Sequence, residues 1–564
     1  MKRSIIILLG LALIPSLGTA LDIDSRLRER LESGESHSAW IFFVDKGEGF
    51  PLDRALDYVS ERALTRRAKV LPPERLLSER DLPVSAEYQN WILQHGIEIR
   101  SESRWLNAVS VRLDAAGLHA LEQTDFIRRI QPVARSARRL MPSYQPLPLR
   151  DGSTRDSLED PIDYGGTQAE LEIVNIPQVH QTGNHGEGVV VGMLDTGFNT
   201  NHEALENVTV LGVWDFINDD GVVENETGDS DGQQGHGTMT LSTLAGYKPG
   251  THVGVAFGAS YYLAKTEDVT EEVPAEEDYW VEGIEWLEAQ GCDLASSSLG
   301  YDDWYVFEDF DGNTCVTTIA GDYAVELGMS VINSAGNNRW STGTMNAPAD
   351  GDSIISIGAV NIEGEIASFS SQGPTADGRI KPDVCGVGVD NHVVFPGTWD
   401  EYTEASGTSL SCPQVAGVAA LLLSANPALT PWELREAMRE TASQAGNPDN
   451  DYGWGILDAW AALGHAQSTN VNAPPLARDQ LRAWPNPFNP ETRLSFRLEK
   501  AGKIELVIYD LQGRLVEVLA DEYFEDGDHS IQWQPDGDPV ASGIYLARLK
   551  TERGVAMRKL VLIK

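Results

Sequence analysis

Cysteine is scarce in this 564-residue chain, which has four thiols, at positions 292, 315, 385 and 412. None has the CxxC spacing of a structural zinc site, and four are too few for a disulfide scaffold. Basic residues are also few: 43 Lys plus Arg stand against 85 Asp plus Glu, a formal net charge of −42. A surface of that sign repels nucleic-acid phosphates and anionic membranes, so neither is an expected partner, and it promotes solubility. Past residue 20 there is no run of the roughly 18–20 uninterrupted apolar residues that a membrane helix needs. The longest, 415–423, has the length of a buried helix. Internal repeats and extended low-complexity tracts are missing too.

What is present starts with Lys2 and Arg3, an apolar run over 5–17, and the small residues Gly18, Thr19 and Ala20, the pattern of a signal peptide spanning 1–20. Export makes disulfides permissible. Cys292 and Cys315 bracket one loop and are expected to bridge, with Cys385 and Cys412 the weaker pairing.

The length suggests three or four domains at about 100–200 residues each. Acids and bases nearly balance over 21–150, whereas almost all the surplus acid lies beyond, which marks two distinct regions. The first carries strand patterns at 39–44 (AWIFFV) and 106–113 (LNAVSVRL) with helical stretches between, a small α+β unit. It ends in the basic run 126–140, followed by a Pro- and Ser-bearing stretch to about residue 164 that reads as a linker open to cutting. From 186 onward, apolar strands at 189–194, 261–264, 294–299 and 330–334 alternate with helices. In the helix over 278–290, Trp280, Ile284 and Leu287 share one face. That alternation predicts an α/β fold, a parallel sheet covered on both sides by helices, with functional residues where strands run out into loops. After a loop-like linker (467–483), short strands at 493–498, 504–509, 530–533, 543–549 and 557–563 have the spacing of a β-sandwich over 484–564.

Hydrolysis of a peptide by serine needs a hydroxyl, a base, a carboxylate to orient the base, and donors for the developing oxyanion. Each has a candidate. Asp195 ends the buried strand in VVVGMLDTG. His236 lies in GHGTMTLSTLAG, where flanking glycines leave room for a substrate backbone. Ser409 in GTSLSCPQVAGVAALLL starts an apolar helix whose amino-terminal amides favour negative charge nearby. Asn337 in NSAGNN follows a buried strand and carries an amide donor. Ser296, Ser297 and Ser411 lack such settings and are expected to be structural.

DTG, GHGT, SAGN and GTSLSCP, in that order, resemble the subtilisin family, the subtilases, over about residues 168–466. The segment SSLG at 297–300 resembles the family's substrate-binding strand. The resemblance implies that Asp195 orients His236, that His236 is general base and then acid, and that Ser409 attacks. It also implies that Asn337 and the Ser409 amide hold the oxyanion with support from Thr408, and that Ser298, Leu299 and Gly300 pair with the substrate backbone. Leu410 stands where many subtilases have Met. By position and coarse pattern, 21–150 resembles an inhibitory propeptide, with a maturation cut between 140 and 169. The C-terminal motifs (AWPNPFNPETRLSFRL, ELVIYDLQGRLVEVL, SGIYLARL, KLVLIK) resemble the sorting domains that type IX secretion systems recognise, with an Ig-like sandwich fold. An ordinary carbohydrate- or protein-binding sandwich is the plainer alternative.

The expected protein is thus a secreted or surface-attached serine endopeptidase of a diderm bacterium, made as a zymogen and passing through the periplasm. Its expected partners are peptide or protein substrates, its own propeptide and the type IX machinery. No cofactor is expected for the chemistry and no catalytic metal; structural calcium is allowed by acidic loops such as 308–313 (EDFDGN), although the glycine is misplaced for an EF-hand. An aspartic protease would need a second DTG-like element. An α/β-hydrolase would carry GxSxG and the order Ser, acid, His. A binding module that kept the fold and lost activity would have no reason to keep all four motifs.

Overall fold

Alternation of period two on one short strand organises the central domain of the computed structural model. Along Val190–Asp195, Val191 and Met193 enter one apolar cluster while Val190 and Leu194 enter another. A strand buried on both faces has to lie inside a sheet with two helical covers. Among the described residues that sheet has seven strands, all parallel. Their order is Val384–Val387, Ile355–Val360, Ser330–Ser334, Leu294–Ser297, Val190–Asp195, Ser260–Lys265 and Thr209–Asp215. The helices Gly235–Ala245 and Thr408–Ala425 contribute to the first cluster, and Glu276–Gln290 and Val316–Glu326 to the second.

The structure describes residues 21–47, 51–134, 162–269, 276–339, 343–468 and 481–562, less 487, 499, 511–512, 536–539 and 552–553. The expected signal peptide, the stretch 135–161 within which most of the expected maturation region falls, and most of the linker 467–483 lie outside the described residues.

The N-terminal unit is a five-stranded sheet in the order Asp22–Ile23, Ile127–Pro132, His37–Phe43, Ala108–Leu113, Glu98–Ser103. The basic run that ends the unit starts as a strand, Ile127–Pro132. His37–Phe43 has two buried faces: Ala39, Ile41 and Phe43 fill the unit's own core, whereas Trp40 and Phe42 join the second cluster of the central domain. The sheet thereby packs on Glu276–Gln290 and Val316–Glu326, with Trp105, Leu106 and Ala134 beside it.

The C-terminal unit is a sandwich of a three-stranded sheet (Arg482–Trp484, Thr492–Leu498, Gly527–Trp533) and a four-stranded one (Leu515–Phe524, Gly502–Asp510, Gly543–Thr551, Gly554–Leu562) around one apolar core. Leu515–Phe524 was hidden in the sequence because its exposed positions dominate; the other four-stranded members follow the expected pattern.

The expected Cys292–Cys315 bridge does not form, nor does Cys385–Cys412: all four cysteines are free and buried. Cys292 packs in the large cluster under the N-terminal unit, while Cys315 sits in a separate small one with Phe310 and Ala347. The other thiols are likewise turned to backbone carbonyls, Cys385 to Tyr452 and Cys412 to Ser297. Among the described residues, Thr408–Ala425 is the helix long and apolar enough to cross a membrane, and it is a buried core helix.

Candidate active site

Adjacent strands of the parallel sheet end side by side, and their carboxyl ends collect the site. Ser297 is in register with Leu194 on one side and Asn333 on the other. The residues that follow, Asp195, Ser298 and the 335–337 loop, consequently emerge together. Asp195 is 1 % exposed and closes its strand. Gly197 then turns with φ 126°, open to glycine, and Gly237 lies so close to that turn that a Cβ there would meet the Gly197 carbonyl oxygen at 2.1 Å. The glycines of DTG and GHG are thus two halves of one contact, which sets the start of the Gly235–Ala245 helix against Asp195.

The contact brings His236 Nδ1 to 2.6 Å from Asp195 Oδ1. The same oxygen accepts the Thr196 amide at 2.8 Å, and Oδ2 accepts the Thr240 hydroxyl at 2.9 Å. The carboxylate is held from both sides by these three donors. Burial acts to depress the His236 pKa, but the charge of Asp195 and its hydrogen bond more than offset this, leaving the imidazole above its ordinary value.

Ser409 is the second residue of the Thr408–Ala425 helix, following Gly407. Its hydroxyl donates to the Ser298 carbonyl at 3.5 Å, and the Ser298 hydroxyl donates to the Ser409 carbonyl at 2.9 Å. Asn337 Oδ1 accepts both the amide and the hydroxyl of Thr408, each at 2.9 Å. That fixes the amide plane and turns Nδ2 toward the helix start. A Cβ placed on Gly407 would lie 3.6 Å from Asn337 Nδ2 and 3.6 Å from the Ser409 backbone nitrogen, so the two nitrogens border one small space.

The expected substrate-strand residues are fitted to the scaffold on their side-chain side. Ser298 bonds Ser409, Leu299 packs in the second cluster, and at Gly300 a Cβ would collide with Asn346 Nδ2 at 1.9 Å. Their strand is shorter than expected, ending at Ser297. Ser297 Oγ accepts from the Trp280 indole and Ser411 donates to the Thr408 carbonyl, as structural serines do. Leu410 is 3 % exposed beside Met239, and burial pushes the Cys412 thiol up to about 12.

The aspartates of the acidic loop 308–313 already have protein donors: Asp309 accepts from the Val306 amide and Arg26, and Asp311 from the Asn313 amide and Thr314. A different trio, Asp215, Asp220 and Glu226, has ligand atoms within 4.8 Å of one another. Lys265 already supplies a cation there, 2.7 Å from Asp215 and 2.8 Å from Asp229.

Comparison with known proteins shows the family to which this fold belongs. The family model described as the subtilase family matches residues 186–455. Subtilisin of Bacillus pumilus is 32 % identical over 304 residues, covering 53 % of this chain and 98 % of the relative. The chain belongs to the subtilase family. This subtilase is also 29 % identical to subtilisin E of Bacillus subtilis over 381 residues, 67 % of this chain and 86 % of that protein. Fervidolysin of Fervidobacterium pennivorans, a keratinolytic enzyme related to subtilisin, shares its fold with a TM-score of 0.54 at 19 % identity, over 94 % of this chain and 73 % of that one. Residues 38–145 match the Peptidase S8 propeptide domain of Bacteroidota, and 482–564 match the secretion system C-terminal sorting domain. The protein is a subtilisin-like serine endopeptidase made as a zymogen, with a type IX sorting domain that marks it as secreted or cell-surface.

Sequence reasoning had missed Thr240 and the acidic face of Glu276–Gln290. Glu282 accepts from the Ser101 hydroxyl and the Glu102 amide, Glu285 from Trp105, and Glu277 from the Ala134 amide, all propeptide groups. The i, i+4 and i+7 spacing of 278, 282 and 285 was visible, but an acidic helix face is usually read as solvated.

Proposed function

We propose that Ser409, His236 and Asp195 are the catalytic triad and that Asn337 Nδ2 and the Ser409 amide form the oxyanion hole. The observation that carries this is the 2.6 Å contact of His236 Nδ1 with a carboxylate already fixed by Thr196 and Thr240. With Nδ1–H committed to Asp195, Nε2 is the free basic nitrogen. The mechanism has the Ser409 hydroxyl leave the Ser298 carbonyl for that nitrogen, and His236 takes the proton as the oxygen attacks the peptide carbonyl. The convergent Asn337 and Ser409 N–H groups receive the oxyanion, and His236⁺ then protonates the leaving amine. No cofactor is called for.

Ser298 and Leu299 spend their side chains on the scaffold and Gly300 has none, which supports a role for the backbone of all three in pairing with an extended peptide. We assign 1–20 to the signal peptide, 21–150 to the propeptide, 168–466 to the catalytic domain and 484–564 to the sorting domain after the 467–483 linker. Export then runs through the periplasm to the type IX machinery. Ser409→Ala should abolish peptide hydrolysis, a loss of roughly 10⁶ in kcat, and leave the propeptide uncut when no other protease is present. Processed protein from that variant would refute self-cleavage, and retained hydrolysis would refute the nucleophile.

A further inference from the structure

The sorting domain carries a second apolar face, and the propeptide covers it. Along Gly543–Thr551, Tyr545, Ala547 and Leu549 enter the sandwich core, while Ile544 and Leu546 take the opposite side. Gly554–Leu562 repeats this, with Ala556, Leu560 and Leu562 inward and Val555 and Met557 outward. The outer side of a two-sheet sandwich is normally polar. Here Leu546 and Met557 are 3 % and 6 % exposed because they share one buried cluster with Leu56, Val59, Ala63, Leu64 and Leu76 of the propeptide. At its edge Arg558 donates to Glu61 at 2.9 Å. The Gly513 turn lies so close to Glu74 that a Cβ on Gly513 would come within 1.9 Å of the Glu74 Cα.

The same propeptide segment grips the catalytic domain. Arg66 and Arg67, both fully buried, bond the Glu288 carboxylate; Arg66 also bonds the Cys292 carbonyl and Arg67 also bonds Asp81. Arg62 pairs with Asp293. The short helix Glu61–Arg67 thus turns Arg66 and Arg67 to the catalytic domain and Ala63 and Leu64 to the sorting domain.

We infer that the propeptide segment 52–82 retains the sorting domain in the uncut chain, so that removing the propeptide uncovers the Ile544, Leu546, Val555 and Met557 face while it frees the catalytic domain. The contact rests on these apolar faces and not on which residue performs the cleavage. It makes maturation a single event that both releases the enzyme and changes the surface the sorting domain presents.

The test uses the full-length chain carrying Ser409→Ala to keep it uncut, and the chain with Ser409 intact after its propeptide has left, each checked by mass. In both, Leu546→Cys supplies a thiol for maleimide labelling; the four native thiols are buried in the uncut chain, and peptide mapping of the adduct separates Leu546→Cys from Cys292, which packs under the propeptide. Labelling should be at least about tenfold faster once the propeptide is gone. Equal, fast labelling in the uncut chain would overturn the contact, and slow labelling in both would overturn the uncovering. Should Leu546→Cys not fold, the surface pair Glu61→Cys with Arg558→Cys gives an independent answer in the uncut chain. A short bismaleimide should join these two within one chain, and should not join Glu61→Cys to Asp528→Cys on the other sheet of the sandwich, about 10 Å further away. Equal yields from the two pairs, or none from either, would overturn the proposal.

Discussion

Asn337 is tied by its carbonyl oxygen to Thr408, and its nitrogen is the proposed oxyanion donor. Asn337→Ala should therefore lower kcat by about 10² to 10³ with little change in KM, as expected for one lost oxyanion donor. Steady-state kinetics on a short peptide checks this, and unchanged turnover would remove Asn337 from the site. As the proposed base, His236 must be neutral to accept a proton, and Asp195 raises its pKa, so activity should be low in acid and rise through a midpoint above the ordinary imidazole value of about 6.5. A kcat/KM profile against pH reads that midpoint; an optimum near pH 4 would contradict the assignment. At this scale the sequence was legible wherever a motif is needed by local contact, since Gly197 and Gly237 must be small to let Asp195 and His236 meet. Thr240 was not legible, because its support of Asp195 depends on the rotation of a helix about its axis. The cysteine pairing failed for a related reason: bracketing a loop says nothing about which cluster each thiol is packed into.

The Glu276–Gln290 helix is an interface element, and its carboxyls are sensitive to what covers it. Burial pushes Glu282 up to about 7, although the Ser101 hydroxyl and the Glu102 amide act to lower it. Asp278 and Glu285 beside it are also raised, mainly by burial, and Arg100 and Arg104 face them. Without the propeptide these groups regain water and titrate lower, so the complex binds more protons than its separated parts. Its stability is full in acid and falls as pH rises toward and through about 7, by at most roughly tenfold per pH unit for each carboxyl. Cut propeptide should accordingly leave the catalytic domain faster at pH 8 than at pH 5.5. Glu282→Gln, which stays neutral, should flatten that dependence; dissociation followed by recovery of activity measures it, and an unchanged slope would exclude Glu282. The helix itself was plain from Trp280, Ile284 and Leu287 on one face. Its second buried face was not, because nothing in an acidic stripe tells whether water or another domain lies against it.

Over the whole chain, three units were visible from shifts in charge and in hydrophobic period. Their contacts were not, since a strand such as Gly543–Thr551 reads the same whether its outer side meets solvent or the propeptide. What unites the units is one active serine, kept behind a propeptide and exported by a sorting domain. The direct test is to treat the mature enzyme with a fluorophosphonate that esterifies activated serines and to map the adduct by mass spectrometry. The account predicts one equivalent on Ser409, activity lost in proportion, and no adduct in Asp195→Asn or Ser409→Ala. An adduct on any other serine, or full activity with Ser409 modified, would contradict it.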